Sequence, residues 1–305
     1  MKKTVLITGA HGFLGRHAAR YFADAGYTVT GIGHGSWDSK EFARFGLTFW
    51  HAADITLDAL VTYAGEPDMI VHCAGSGSVA FSMTHPYQDY GRTVSSMAAV
   101  LEYVRLHSPK TSVIYPSSAA VYGVVEKLPI MEASPLHPVS PYGVHKQIAE
   151  MLCQSYASSF HVSVAIIRFF SIYGPGLQKQ LLWDACSKAE RGDTAFSGTG
   201  LELRDWLHVI DAASLLGAVA SHASPECPVF NGGSGEGVTV KEVLDEIVQA
   251  YGLNSGPKFS GKSRPGDPIG YQADMDNTIR LGWKPTIDWR SGVSDYVKWF
   301  KGACL

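Results

Sequence analysis

A glycine-rich turn near the N-terminus constrains the fold of this chain most. A short β-branched run at residues 4–7 leads into Gly9, Gly12 and Gly15, and helical periodicity follows from residue 13 to 25. Because glycine has no side chain, a turn between a strand and a helix lets backbone N–H groups approach an anion at the helix N-terminus. The motif therefore predicts a dinucleotide site formed by Gly9, Gly12, Phe13, Leu14 and Gly15.

Strand and helix patterns then alternate along the chain. Further strands are predicted at 28–32, 47–50, 69–73, 112–115 and 162–168, with long helices at 86–107 and 142–159. This alternation is typical of βαβ units and predicts a Rossmann-type, doubly wound parallel α/β sheet of at least six strands. Beyond residue 174 the sequence is richer in loops, with helices near 179–191, 208–222 and 239–251. We predict a dinucleotide-binding domain at 1–174 and a smaller α/β substrate lobe at 175–305, some segments of which cross back.

Composition excludes several classes of function. The chain has 25 Lys and Arg against 28 Asp and Glu, and we find no basic cluster that would follow a phosphate backbone, so nucleic acid is not an expected partner. The five cysteines are scattered without a C-x-x-C pair, which argues against a metal site and favours a reduced cytoplasm. The apolar run after Lys2 and Lys3 stops at Thr8, too early for a signal peptide or a membrane span.

The end of the second strand departs from the usual dinucleotide pattern. A carboxylate that binds the ribose 2′-hydroxyl is expected there, but residues 31–36 read G-I-G-H-G-S. Without that charge a 2′-phosphate is tolerated, and His34 and Ser36 could donate to it, which favours NADP. Alternatively Asp38 holds the ribose and the cofactor is NAD.

A tyrosine and a lysine form the second chemical feature. Tyr142 and Lys146 are four residues apart and therefore share one face of the helix at 142–159. An ammonium group near a phenol lowers the phenol pKa from about 10 towards neutrality, as proton exchange with a sugar hydroxyl requires. Ser117 and Ser118 follow the fifth strand, at the sheet edge where ligands bind, so a serine hydroxyl can face the tyrosine.

Seven segments in one order carry a resemblance across nearly the whole chain. They are T-G-A-H-G-F-L-G at 8–15, H-C-A-G at 72–75, S-S-A-A-V-Y-G at 117–123, Y-G-V-H-K at 142–146, R-F-F-S-I-Y-G-P-G at 168–176, L-R-D-W-L-H-V at 203–209 and R-P-G-D at 264–267. The sequence resembles the extended short-chain dehydrogenase/reductases, the family of nucleotide-sugar epimerases, dehydratases and reductases.

The resemblance implies roles for individual residues. Tyr142 would be the acid/base, Lys146 would hold the nicotinamide ribose, and Ser118, assisted by Ser117, would polarise the sugar oxygen. Further cofactor contacts are implied at Asp54, Ile55, Ala74 and Gly75, and substrate contacts at Ser171, Arg204 and Arg264, the two arginines binding the diphosphate of the sugar nucleotide. Ser171 and Thr93 stand where family members commonly have asparagine.

The same resemblance narrows the reaction. Ala119 and Ala120 replace the acidic residues of dehydratases, and no cysteine lies in the serine loop for epimerisation at C3 or C5. Hydride transfer at C4 remains. We expect net reduction of a 4-keto sugar nucleotide, 6-deoxy sugars included, because the missing carboxylate suits NADPH. The alternative is a 4-epimerase of the UDP-glucose type that retains NAD, and a remote one is a non-catalytic dinucleotide sensor.

The quaternary structure is predicted from the two long helices. Helices of this length need a cover for their outer apolar stripes, and relatives of this family dimerise through them. We therefore predict a homodimer with a four-helix interface. The resemblance implies a nucleotide-diphosphate sugar as the substrate, and we expect no membrane partner.

Overall fold

The computed structural model describes residues 2–262 and 270–303. Its strands are β1 Thr4–Thr8, β2 Thr28–Gly33, β3 Phe49–Ala52, β4 Met69–His72, β5 Ser112–Ser118, β6 Val164–Phe169, β7 Ser171–Tyr173, β8 Ala195–Phe196, β9 Leu203–His208, β10 Val229–Gly232, β11 Gly237–Thr239 and β12 Lys258–Phe259. Its α-helices are α1 Phe13–Asp24, α2 Ser39–Arg44, α3 Leu57–Tyr63, α4 Val79–Thr84, α5 Pro86–Tyr90, α6 Ser96–His107, α7 Pro141–Phe160, α8 Gln180–Ala189, α9 Val209–Ala220, α10 Val240–Ala250, α11 Asp276–Ile279 and α12 Trp289–Ala303.

Seven parallel strands form the central sheet in the order β10-β6-β5-β4-β1-β2-β3. The predicted doubly wound α/β fold is confirmed. The order reverses between β1 and β4, and ligands of such sheets bind outside the carboxyl ends of the strands at that switch point. The glycine turn after β1 lies there.

Helices cover both faces of this sheet, so its central strands are buried on each side. Apolar side chains of α1 and α9 pack on one face, and those of α3, α6 and α7 pack on the other. A third apolar cluster joins α8, α10, α12 and β9 into the C-terminal lobe.

Three segments differ from the sequence-based expectation. The predicted helix at 86–107 is divided into α5, a π-helical segment at Gly91–Ser95 and α6. The third strand begins two residues later than predicted because Gly46, at φ +79°, still belongs to the turn that follows α2. The seventh strand of the central sheet, β10, and helix α9 both come from the predicted substrate lobe; β10 pairs with β6, and α9 packs with α1. The boundary at 174 stays a prediction.

Two further observations concern the described residues only. Among them, no helix combines the length and the apolar character that a membrane crossing requires. Within the same ranges, no group of three or more His, Cys, Asp and Glu side chains is arranged to hold a metal ion.

Candidate active site

A cavity of about 670 Å³ lies at the carboxyl ends of the central strands and extends under the C-terminal lobe. Many of the residues predicted from the sequence line this one cavity: Gly12, Phe13, Leu14, Gly75, Ser117, Ser118, Tyr142, Lys146, Ser171 and Arg204. Its volume is in the range of small-molecule and cofactor sites.

The glycine turn fits the diphosphate of a dinucleotide. Gly9 has φ +69°, and a Cβ atom there would lie 2.7 Å from the backbone nitrogen of Ala74. A Cβ atom on Gly15 would lie 2.2 Å from the Gly9 carbonyl oxygen, so neither position accepts a side chain. Helix α1 begins at Phe13 without a side-chain cap from Gly12, which leaves its first N–H groups available to an anion.

The predicted ribose and adenine residues lie outside the lining of that cavity. His34 Nδ1 lies 3.0 Å from Asp54 Oδ1, and both side chains are about three-quarters exposed. Asp38 caps α2, since its Oδ1 atom accepts from the backbone nitrogens of Lys40 and Glu41. The Ile55 side chain packs on the core beneath the sheet. The carboxylate nearest to His34 therefore comes from the end of β3.

The helix that carries Tyr142 starts directly against the serine loop. Ser140 caps α7 by accepting from the Gly143 nitrogen at 3.2 Å. A Cβ atom on Gly143 would lie 2.6 Å from the Ala120 carbonyl oxygen, so glycine is what allows the close approach. As a result the Ser118 hydroxyl comes close to the Tyr142 phenol, and its hydrogen bonding lowers the pKa of that phenol.

Lys146 is the buried member of this group. Its Nζ atom donates to the Pro116 carbonyl oxygen at 2.8 Å and lies 4.7 Å from the centre of the Tyr115 ring. Burial lowers the pKa of Lys146 to about 8, although Cys73 and Glu150 act in the opposite direction. The cavity therefore holds an ammonium group whose charge is only partly compensated.

The expected lowering of the tyrosine pKa is not found. Burial raises the pKa of Tyr142 above its usual value, and the hydrogen bond with Ser118 offsets only part of that rise. The physical reason is that the Lys146 ammonium is bound to the Pro116 carbonyl rather than to the phenol, so desolvation is the larger effect.

Ser117 does not have the free hydroxyl that a substrate contact requires. Its Oγ atom donates to Glu150 Oε1 at 2.5 Å, and Glu150 also accepts from Arg168 Nη2 at 2.8 Å. Glu150 and Arg168 are almost completely buried. Its side chain therefore links β5 to α7 at the wall of the cavity, and this geometry does not support donation to a substrate, the role predicted for Ser117.

The remaining predicted substrate residues lie on several elements. Ser171 begins β7, and Arg204, on β9, donates to the Leu203 carbonyl oxygen at 2.8 Å. Arg264 lies outside the described residues. Thr93 is buried, and its hydroxyl accepts from the Ser76 nitrogen at 3.4 Å, which fixes the loop after β4.

Sequence reasoning missed several residues of the cavity wall. Lys179, Gln180 and Tyr271 line it without belonging to a motif, and Trp206 lines it from within the segment 203–209, where the resemblance implies a role for Arg204 only. Burial raises the pKa of Tyr271 to about 12, and its hydroxyl donates to the Gly123 carbonyl oxygen. The one available signal was the position of Lys179 and Gln180 at the predicted start of a helix.

Comparisons with known proteins agree with this geometry. The chain is 28% identical over 312 residues to UDP-glucose 4-epimerase of Azospirillum brasilense, covering 95% of this chain and 89% of that protein. The structure resembles UDP-glucose 4-epimerase of Thermotoga maritima, solved with UDP-glucose, with a TM-score of 0.88, 24% identity and coverage of 99% and 100%. It also resembles MoeE5 in complex with UDP-glucuronic acid and NAD, with a TM-score of 0.87, 26% identity and coverage of 98% and 99%.

The family comparison covers the dinucleotide turn, the serine loop and the Tyr142 helix together. The sequence profile described as the NAD dependent epimerase/dehydratase family matches residues 5–233, three-quarters of the chain. The chain belongs to the NAD-dependent epimerase/dehydratase family.

Proposed function

We propose that this chain is a nucleotide-sugar 4-epimerase that retains NAD, the alternative that the sequence analysis ranked second. The observation that carries the proposal is that Ser118, Tyr142 and Lys146 line one cavity. The relatives support the epimerase over the 4-ketoreductase, because the similar curated protein and the solved structure named above are UDP-glucose 4-epimerases.

The two hydroxyl oxygens perform the proton chemistry. Tyr142 and Ser118 line the same cavity and lie close together, so we propose that the sugar C4 hydroxyl binds between them. Tyr142 takes the hydroxyl proton as the C4 carbonyl forms, and returns a proton when the alcohol is restored. Ser118 donates to the carbonyl oxygen and holds it in place. The bound dinucleotide supplies the matching hydride chemistry at C4.

Epimerisation also requires the ketone to present its opposite face, for which it must turn within the cavity. The cavity lining includes several small residues: Cys73, Gly75, Ser76, Gly77, Ala119 and Ala120. A reductase has no need for such rotation. We propose that Arg204, which lines the cavity, binds the diphosphate of the sugar nucleotide, since a guanidinium group matches phosphate oxygens.

We propose NAD rather than NADP because a carboxylate does stand near His34. Asp54 supplies it from the end of β3, although residues 31–36 contain none. A fixed negative charge at the ribose end repels a 2′-phosphate. We expect Asp54→Asn to improve the affinity for NADPH relative to NADH, as measured by fluorescence titration of both. An unchanged affinity ratio would contradict this role for Asp54.

Interconversion of UDP-glucose and UDP-galactose tests the reaction. Purified protein, with or without added NAD, should approach the same equilibrium mixture from either sugar, as followed by proton NMR. Stoichiometric oxidation of NADPH by a UDP-4-keto sugar, without any interconversion, would instead establish the reductase.

A further inference from the structure

A short segment that leads into helix α8 contributes Leu177, Lys179 and Gln180 to the cavity lining. We call residues 175–180 the strap. At its start the Pro175 carbonyl oxygen lies 3.0 Å from His17 Nε2, on helix α1. At its end Gln180 Nε2 donates to the Gly77 carbonyl oxygen at 3.4 Å, in the loop after β4. The strap therefore joins the two sides of the switch point.

The strap lies close to the glycine turn. Its second residue, Gly176, is so near the ring of Phe13 that a Cβ atom there would be 3.8 Å from it. Leu177 is buried, and it packs in the apolar cluster that Phe13 contacts. Because Phe13 begins helix α1, the strap runs close to the helix N-terminus that fits a diphosphate.

The cation of the strap has no protein partner within residues 2–262 and 270–303. Lys179 lines the cavity and makes no hydrogen bond or ion pair there. A Cβ atom on Gly77 would lie 3.5 Å from Lys179 Nζ, so the ammonium group is at the cavity wall formed by the loop after β4. Desolvation alone lowers the pKa of Lys179, with no nearby carboxylate to oppose it.

The backbone next to this cation is held in an unusual conformation. Gln180 has φ +69°, which side-chain-bearing residues rarely adopt. Such conformations persist where the surroundings enforce them, and they concentrate at ligand clamps. The conformation lets α8 begin with Lys179 and Gln180 both at the cavity.

We propose that Lys179 retains the cofactor: its ammonium group binds the diphosphate of the dinucleotide at the glycine turn, and the strap closes over it. Arg204 lies on β9, and its charge lowers the pKa of the nearby Tyr271. We assign Arg204 to the diphosphate of the sugar nucleotide, which leaves Lys179 for the dinucleotide. The inference rests on the proposed function in one respect, because an epimerase keeps its dinucleotide between turnovers whereas a reductase exchanges it.

Nucleotide binding by charge variants tests the proposal. NADH affinity and release are measured by fluorescence titration and by a chase with excess NAD, and UDP affinity is measured by calorimetry. We expect Lys179→Gln to weaken NADH binding about tenfold and to reduce its dependence on salt, as loss of one charge-assisted contact predicts. UDP affinity should change less than about twofold, the size of effect that distant charges have in salt.

Two further variants serve as controls. Lys188→Gln makes the same charge change on helix α8, where Lys188 pairs with Asp184, and it should leave NADH binding unchanged. Lys179→Arg keeps the charge and should keep most of the affinity. Wild-type NADH affinity in Lys179→Gln would overturn the proposal, as would a loss for UDP as large as that for NADH. If UDP-glucose and UDP-galactose are not interconverted, the proposed reaction is contradicted, whereas the NADH affinities of the variants still test the role of Lys179.

Discussion

At the scale of single residues, burial shifts the pKa values of two active-site groups away from the values that their proposed roles favour. Tyr142 must give and take a proton although its pKa is raised, and Lys146 must stay charged although its pKa is lowered to about 8. Desolvation is the common cause. Substitution of each residue tests its role separately.

Tyr142→Phe should abolish turnover with little effect on nucleotide binding. The substitution removes only the oxygen that exchanges the proton, so kcat/KM should fall by about 10² or more. NADH titration of the variant serves as the binding control. Retention of more than about a tenth of kcat/KM would exclude Tyr142 as the acid/base, because general acid/base catalysis contributes more than that.

Lys146 should make stability rise with pH in the alkaline range. Its pKa is 10.5 in the unfolded chain and about 8 in the folded one. Between these values the unfolded chain binds a proton that the folded chain lacks, so raising the pH favours folding, by at most about 3 kcal/mol. The difference in unfolding free energy between wild type and Lys146→Met, from urea titrations at pH 8 and pH 10, measures this gain. A difference that does not vary with pH would show that Lys146 is not destabilised as a cation.

At the scale of elements, helix α7 organises the site. It brings Tyr142 to the serine loop at its first turn, places Lys146 one turn later, and is anchored to β5 and β6 through Glu150. The contact at Gly143 sets the distance between the helix and the loop.

Gly143→Ala should therefore disturb the site at the level of the helix. The added Cβ atom would lie 2.6 Å from a backbone oxygen, and overpacking of this kind costs about 1–3 kcal/mol. Activity should fall with stability, because the same shift separates Tyr142 from Ser118. Gly91→Ala is the matched control, since nothing lies within 4 Å of its Cβ position. Equal thermal stability of Gly143→Ala and wild type would contradict the predicted clash.

The order of elements could be predicted from the sequence because periodicity and glycine turns are local signals. The central strands, the helices α1 and α7, and the shared face of Tyr142 and Lys146 were all predictable for that reason. The π-helical segment at Gly91–Ser95 was not, because a helical pattern does not show a single extra residue. Three further features could not be predicted either, since each depends on residues distant in sequence. They are the contact of Asp54 with His34, the hydrogen bond from Ser117 to Glu150 and the position of Lys179.

At the scale of the whole molecule, the two long helices expose apolar side chains within the part of the chain that the structure describes. Val144 and Met151 are seven residues apart on α7 and are 39% and 60% exposed, and Leu106 on α6 is 50% exposed. Apolar side chains in one stripe favour self-association. The predicted homodimer fits this surface.

Met151→Glu should convert the dimer into a monomer, because a carboxylate buried between two copies is unfavourable. Light scattering at micromolar concentration measures the mass. Leu201→Glu, at a residue that is 69% exposed on the C-terminal lobe, should leave the dimer intact. A wild-type protein that is monomeric under these conditions would contradict the prediction.

The position of β10 at the edge of the sheet has a consequence for the order in which the chain can fold during synthesis. β10 pairs with β6, and α9 covers α1, yet both are made after residue 205. A nascent chain that ends at residue 174 exposes the free edge of β6 and the apolar face of α1, and such surfaces promote aggregation. The dinucleotide-binding half must therefore wait for about 60 further residues, a few seconds of translation, before its core can close.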